Sequence, residues 1–355
     1  MTVPAPDSND MQVPFDLAAL ESYLAAHIDG FHGPIAIARF KGGQSNPTYL
    51  LSTPARQYVM RAKPGPVAEL LPTAHAVERE FRLQSALAGS PVPVTRMHCL
   101  CDDESVVGRA FYVMDFVEGR IFWNQALPDV ARADRTALYD ELNRVIAGLH
   151  AVDFTALGLS DYGKAGNYFN RQIDRWTRQY RASEIGTIEA MDRLIERLPQ
   201  HVPHEDIPQV SLVHGDYRID NVIFHSTEPR ILAVIDWELS TLGHPLADFA
   251  YHLMSWHITP GIAVRGLKGL DLELLGIPTE SAYIAAYERR IGRPLTVDWN
   301  FYLAYNLFRI AAILQGVAKR VEEGTASSAQ AAESGRQARP LAELGWEFAQ
   351  KMGDP

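Results

Sequence analysis

Asp216, Asn221 and Asp236 are three oxygen-bearing side chains whose spacing suits phosphoryl transfer. His214-Gly215-Asp216 ends a short apolar run, Val210 to Val213, and Asn221 follows five residues later. Asp236 ends a second apolar run, Ile231 to Ile235. Mg²⁺ prefers octahedral oxygen coordination, and proteins hold it with one or two side chains beside phosphate oxygens and waters. One carboxylate to accept a hydroxyl proton and two oxygen ligands for the metal are the set that phosphoryl transfer requires. Taken alone, His-Gly-Asp reads more readily as a turn after a strand; the spacing of all three residues carries the chemistry.

The elements that must position these residues fall into two parts. Residues 1–13, with Pro4 and Pro6, read as a poorly ordered arm. Asp16 can cap a helix through about Ile28, in which Leu17, Leu20, Leu24 and Ile28 recur at helical spacing. The period then changes to that of strands, with β-like runs at Ile35 to Lys41, Thr48 to Ser52, Gln57 to Arg61, Met97 to Cys101 and Ala110 to Phe116. A helix is expected over Ala74 to Leu87, with Val77, Phe81 and Ala88 inward, and a hairpin tip at Asp102-Asp103-Glu104. At Val117-Glu118-Gly119 the character changes, so the expected division is 14–117 for a small antiparallel-sheet lobe and 118–355 for a larger lobe. Helices are expected in the second part at Val130 to Val152, Tyr168 to Ala182, Ile185 to Leu198, Leu246 to Trp256, Thr279 to Ile291, Val297 to Glu323 and about Ala326 to Lys351. The fold class is α+β and bilobal.

Composition narrows the function. A formal net charge of -10, with no dense run of Lys and Arg, argues against a nucleic-acid surface. Cys99 and Cys101 have no Cys or His companions at zinc spacing and read as free thiols of a reduced compartment. No stretch approaches 18 uninterrupted apolar residues and no signal-peptide pattern opens the chain, so neither a membrane span nor membrane attachment is expected and the cytoplasm is the expected location.

HGDYRIDN (214–221) with IDWE (235–238), preceded by GGQSNPTYLL (42–51) and YVMRAKPG (58–65), resembles the aminoglycoside phosphotransferase family. More narrowly, it resembles the branch found as the kinase-like domain of some acyl-CoA dehydrogenase fusion proteins. The resemblance covers roughly Ile35 to Glu323. It implies a protein-kinase-like fold and an ATP- and Mg²⁺-dependent transfer of phosphate to a hydroxyl of a small molecule. Position by position, it implies that Asp216 is the catalytic base, Asn221 and Asp236 the metal ligands and His214 a residue packed beneath the site. It also implies that Asp248, in PLADFAY, bonds the backbone of the catalytic loop; its plainer reading is an ordinary helix N-terminal acid.

The other positions have both a functional and a plainer reading. Gly42, Gly43, Gln44, Ser45 and Asn46 lie between strands, where backbone N–H groups can approach phosphates, or form only a hairpin. Arg61 stands where the family places a lysine on the α/β-phosphates, with Lys63 two residues on and hence on the same strand face. Glu80 is the expected ion-pair partner on the following helix, ahead of Glu78, unless all these charges form a solvated face. Met114 to Val117 corresponds to the hinge whose backbone binds adenine, with Asp115 and Val117 as the contact residues. His150, His225, His244, His252 and His257 read as packing or surface residues. Two other readings compete: a metallophosphoesterase, which lacks the His-rich partners it requires here, and a nucleotide-binding pseudokinase, kept open by Arg61. For the acceptor, a hydroxyacyl-CoA or similar metabolite ranks above an aminoglycoside, with Arg171, Arg175, Arg178 and Arg181 as candidate basic residues at the mouth of its cleft.

Overall fold

Asp16 accepts hydrogen bonds from the Ala18 and Ala19 N–H groups and starts the first helix, α1 (Leu17–His27), which buries Leu20 and Leu24. The computed structural model describes residues 15–40, 46–64, 76–164, 166–204, 209–261, 266–325 and 331–353. These divide into two compact units, each described by itself. The first takes the chain up to Ile121 together with Thr155–Leu159 and Asp220–Leu239; the second takes Phe122–Phe154, Ser160–Ile219 and the chain from Ser240.

In the first unit, β1 (Ala36–Arg39), β2 (Thr48–Ser52), β3 (Gln57–Ala62), β4 (Met97–Cys101) and β5 (Phe111–Asp115) form one antiparallel sheet in the order β1-β2-β3-β5-β4. Leu51, Tyr58, Met60, Phe111 and Val113 join Leu20 and Leu24 of α1 in its core. α2 (Val77–Leu87) buries Val77, Glu80, Leu83, Gln84 and Leu87. Ala88, expected on the inward side, is instead the exposed cap residue that ends the helix. Glu80, written from sequence into a charged run, is buried to 2% exposure, because partners inside the unit await it. The expected hairpin tip at Asp102 to Glu104 is a helical turn: Asp103 accepts from the Ser105 N–H and opens α3 (Glu104–Val107), which closes at left-handed Gly108.

In the second unit, α4 (Arg132–His150), α5 (Tyr168–Ala182) and α6 (Glu189–Arg197) precede β6 (Ser211–Val213). β7 (Val222–Phe224) and β8 (Ile231–Val234) form an antiparallel hairpin that belongs to the first unit. Arg120 and Phe224 exchange backbone hydrogen bonds of 2.7 and 2.9 Å, and the Val234 N–H donates to Pro93 at 2.9 Å. Gly119 permits this junction, since a Cβ there would lie 2.3 Å from the Phe224 carbonyl oxygen. The hairpin that ends at Asp236 is thereby pinned to the sheet that carries Arg61.

The chain returns to the second unit through β9 (Thr241–Gly243), which pairs with β6, and α7 (Pro245–Leu253). α8 (Leu272–Leu275), α9 (Glu280–Ile291), α10 (Trp299–Glu322), α11 (Ala331–Arg336) and α12 (Ala338–Ala349) complete it. The single helix expected from about Ala326 to Lys351 is therefore two helices that break at Gln337, with 326–330 outside the described residues. α10 packs on α5, α7, α11 and α12. Among the described residues it alone is long and apolar enough to cross a membrane, with a mean hydropathy of 1.3 over its best window. However, 78% of that window is buried inside the fold, as in a core helix.

Candidate active site

In the first unit the site is built around Arg61. β3 presents its guanidinium, 12% exposed, to three carboxylates: Glu80 at 3.3 Å from α2, Asp236 at 3.0 Å and Glu238 at 3.4 Å. Lys63 lies one strand repeat further along the same face and pairs with Glu78, and both are about one-third exposed. The two cations thus meet α2 in two rungs, an inner Arg61–Glu80 and an outer Lys63–Glu78. Glu80 also accepts from Asn46 Nδ2 and from the Tyr112 hydroxyl, each at 3.1 Å. Burial pushes the Glu80 carboxyl above the usual range, while the charge of Arg61 and the bonds from Tyr112 and Asn46 act in the opposite direction. Gly42, Gly43, Gln44 and Ser45 lie outside the described residues.

Asn221 and Asp236 are brought together by the β7–β8 hairpin: the Ile235 N–H donates to the Asn221 carbonyl at 3.0 Å. Asn221 is buried, and the Asp236 side chain is 35% exposed. Asp236 has φ 66°, a left-handed conformation that Asp tolerates better than most side chains but that still costs on the order of 1 kcal/mol. One amide oxygen and one carboxylate are hard ligands of the kind Mg²⁺ takes. The three carboxylates around Arg61 leave a formal excess of two negative charges, which a divalent cation matches. The residues present therefore fit Mg²⁺.

The segment after β5 has a sharper character than sequence alone assigns. The Asp115 side chain is engaged by Arg56 at 2.6 Å and His98 at 2.7 Å, and its N–H donates to the Arg96 carbonyl. The Phe116 N–H goes to Gln57. Among the described residues no backbone hydrogen bond engages Val117, so its N–H and C=O, with the Phe116 C=O, are groups of this segment left for an external ligand.

In the second unit the site is a loop after β6. Gly215 takes φ 83°, which turns the chain sharply at His214-Gly215-Asp216. Asp248, in the first turn of α7 and only 2% exposed, accepts the His214 N–H at 2.8 Å and the Gly215 N–H at 2.7 Å. His150, at the end of α4, approaches Asp248 through Nε2 at 3.2 Å and the Tyr287 hydroxyl through Nδ1 at 2.7 Å. A carboxylate only accepts, so Nε2 carries the proton and the hydroxyl serves the other nitrogen. Burial acts to raise the Asp248 carboxyl; the hydrogen bonds from His150 and from the His214 N–H overcome it and hold the group below its ordinary value. His214 Nδ1 accepts the Asp216 N–H at 3.1 Å, and Arg309 of α10 donates to the Gly215 carbonyl at 2.5 Å. Arg218 Nε is 3.7 Å from the Asp216 carboxylate.

Three contributors have no place at the site in the sequence reading. Glu238 stands inside the quoted IDWE, yet nothing in that string assigns it to Arg61. His150 reads as a packing residue because the partner that gives it a task lies 98 positions away. Arg309 did carry a signal: it is a charge within the otherwise apolar run LFRIAAIL, and a buried arginine needs a partner.

The family of phosphotransferase enzymes abbreviated APH has a model that matches residues 36–288. The chain belongs to the APH phosphotransferase family. Among its relatives, mouse acyl-CoA dehydrogenase family member 10 is 46% identical over 351 residues, 98% of this chain but 32% of that protein. The chain thus spans about a third of the length of that relative. A solved protein of Ralstonia eutropha, provisionally described as an aminoglycoside phosphotransferase, is 60% identical with a TM-score of 0.87, covering 95% of this chain and 99% of that one. A thermostable mutant of aminoglycoside phosphotransferase APH(4)-Ia, solved with AMP-PNP and hygromycin B, is 16% identical with a TM-score of 0.61 and covers 94% and 99%; this likeness concerns the fold. As an APH-family member with this kinase-like fold, the chain is a phosphotransferase with an alcohol group as acceptor.

Proposed function

We propose that this APH-family chain transfers the γ-phosphate of ATP to the hydroxyl of a hydroxyacyl-CoA or similar metabolite, in preference to an aminoglycoside. The observation that carries the reading is the excess of acid around Arg61, because it combines a fixed phosphate-binding cation with the charge and ligand type that Mg²⁺ requires. The acceptor side is supported by the names of the relatives, which are acyl-CoA dehydrogenase family members, and by an arginine-rich helix, α5. The APH(4)-Ia complex with AMP-PNP supports a nucleotide on the phosphate side.

In this reading Arg61 neutralises phosphate oxygens, Glu80 keeps its guanidinium in place, and Lys63 stands at the outer rung. Asn46 donates to Glu80 and helps to fix it, and the backbone of Val117, two residues after Asp115, meets the adenine. Asn221 and Asp236 would hold Mg²⁺, which when bound neutralises the β- and γ-phosphate oxygens. Asp216 accepts the hydroxyl proton as the acceptor oxygen forms its bond to the γ-phosphorus. The bond from that phosphorus to the bridging oxygen breaks, and ADP leaves with the electron pair. His214 and Asp248 hold the loop so that this carboxylate needs no rearrangement.

The test is a screen with γ-labelled ATP and Mg²⁺ across hydroxyacyl-CoAs, aminoglycosides, choline-like alcohols and sugars. Label on a hydroxyacyl-CoA is the expected result. Label on an aminoglycoside alone overturns the acceptor assignment, and ATP binding without transfer to anything replaces the enzyme with a nucleotide-binding module.

A further inference from the structure

Of the four α5 arginines that the sequence offers for an anionic group, three are already engaged. Arg171 donates to the carbonyls of Lys164 and Gly166. Arg181 pairs with Glu184 at 3.0 Å and Asp192 at 2.6 Å. Arg178, exposed, turns back onto the Asp174 carbonyl of its own helix at 3.3 Å. Arg175 is half-buried, and among the described residues no hydrogen bond or ion pair engages it.

What surrounds Arg175 is cationic and aromatic. Its guanidinium lies 5.1 Å from the Trp176 ring centroid, and that of Arg309 lies 5.4 Å from the same ring. Burial, and after it the charge of Arg309, pulls the Arg175 guanidinium below its ordinary value. A cation shielded from water beside another cation is costly unless an anion joins them. Arg309 fixes where this happens, since it also donates to Gly215 at 2.5 Å and stacks 5.1 Å from the ring of Tyr251, a neighbour of Asp216. Arg175 is therefore one aromatic ring away from the arginine that touches the loop carrying the proposed base.

We infer that Arg175 is the specificity residue of the acceptor site, gripping an oxyanion that the acceptor carries and so aligning its hydroxyl with Asp216. The inference rests on the phosphotransferase reading for the hydroxyl, and on Arg175 alone for the anion. A planar guanidinium fork suits carboxylate and phosphate alike, so the anion is either the carboxylate of a free hydroxy acid or a phosphate of a CoA thioester. A polycation such as an aminoglycoside meets repulsion there.

The experiment is calorimetric titration of hydroxybutyrate, its methyl ester and hydroxybutyryl-CoA into the full chain. Wild type is compared with Arg175→Gln, Arg175→Lys and, as a control, Arg178→Gln. Arg175→Gln is expected to weaken at least one anionic compound about 10-fold or more, the scale of a lost charge-assisted contact. The ester and the control variant stay unchanged, and Arg175→Lys recovers part of the loss. Loss on the free acid identifies the carboxylate; loss on the thioester alone identifies the CoA phosphate. Equal weakening of ester and anions, no change with Arg175→Gln, or no binding of either anion to wild type overturns the inference. Binding that depends on Arg175 with no labelled product from γ-labelled ATP leaves the anion site standing and removes the transfer reaction instead. Melting temperatures confirm that each variant is folded, and the charge-retaining Arg175→Lys decides the matter if Arg175→Gln is not.

Discussion

Arg61 in the first unit and Asp248 in the second are both buried charges held by several partners, but their surroundings are balanced in opposite ways. Arg61 faces Glu80, Asp236 and Glu238, more negative charge than it can neutralise. Asp248 faces two backbone N–H groups and His150, three donors that engage both of its oxygens. An arrangement with acid to spare is incomplete until a cation arrives, and one whose carboxylate is already met by donors is complete. The first suits reversible binding of a metal–nucleotide; the second suits permanent positioning of a loop. Buried carboxylates thus carry opposite meanings depending on what they face, and a residue count alone cannot separate them.

The comparison is most exposed to failure at Asp216, whose surroundings are built for position rather than for stability. Asp216→Asn is expected to lower turnover by about 10²–10⁴ with folding nearly intact, as befits a positioned base. A variant that retains more than a third of wild-type transfer removes Asp216 from the role. Next in size is Asp248→Ala, which strands two buried N–H groups and His150. Urea unfolding should report a loss of about 3–5 kcal/mol, and a loss below about 1 kcal/mol would mean that the loop is held by something else. Because the folded-state value of Asp248 is depressed, its contribution is present above the unfolded carboxylate value and is lost as pH falls through the folded one.

His252 sharpens the same contrast. It lies one turn after Asp248 in α7, fully buried among Tyr217, Tyr283 and Trp256, and among the described residues its two ring nitrogens have no hydrogen-bond partner. Burial lowers its pKa from 6.5 to about 4. The unfolded chain therefore takes up a proton that the folded one refuses. Stability should fall as pH drops from about 6.5 toward 4, by up to about 3 kcal/mol, and His252→Phe should flatten that slope. An unchanged slope in the variant assigns the acid sensitivity to other groups. The smallest effect belongs to the acid-rich site: Asp236→Ala should weaken Mg-ATP about 10-fold or more while leaving adenosine nearly unaffected in a calorimetric titration. Equal weakening of both would count against metal ligation there.

The five strands and the helices around them were legible because each rests on local period, whereas the pairing of Arg61 with Glu80 was legible only through the family resemblance. The break in the last helix was not read, although Gly335 and Pro340 flank Gln337 and a proline belongs in a helix's first turn rather than its interior. Nor was the attachment of β7–β8 to the first unit. That follows from Gly119 lying against Phe224, a contact between positions more than 100 apart. His150 and Glu238 were missed for the same reason: each acquires its task from a partner that sequence order does not bring near. Asp236 shows the converse, with its type and spacing plain in the string but its left-handed backbone visible only in three dimensions.

The bond from Arg309 to Gly215 spans 94 positions, and those from Asp248 span 33 and 34. A contact of such separation closes late, after the local helices have formed. During synthesis the His-Gly-Asp turn therefore emerges well before the two side chains that fix it, and it gains its last bond only once α10 has docked. Phosphoryl transfer then asks for more than the right residues: a chain that stops short of Arg309 lacks one of the bonds that fix the turn.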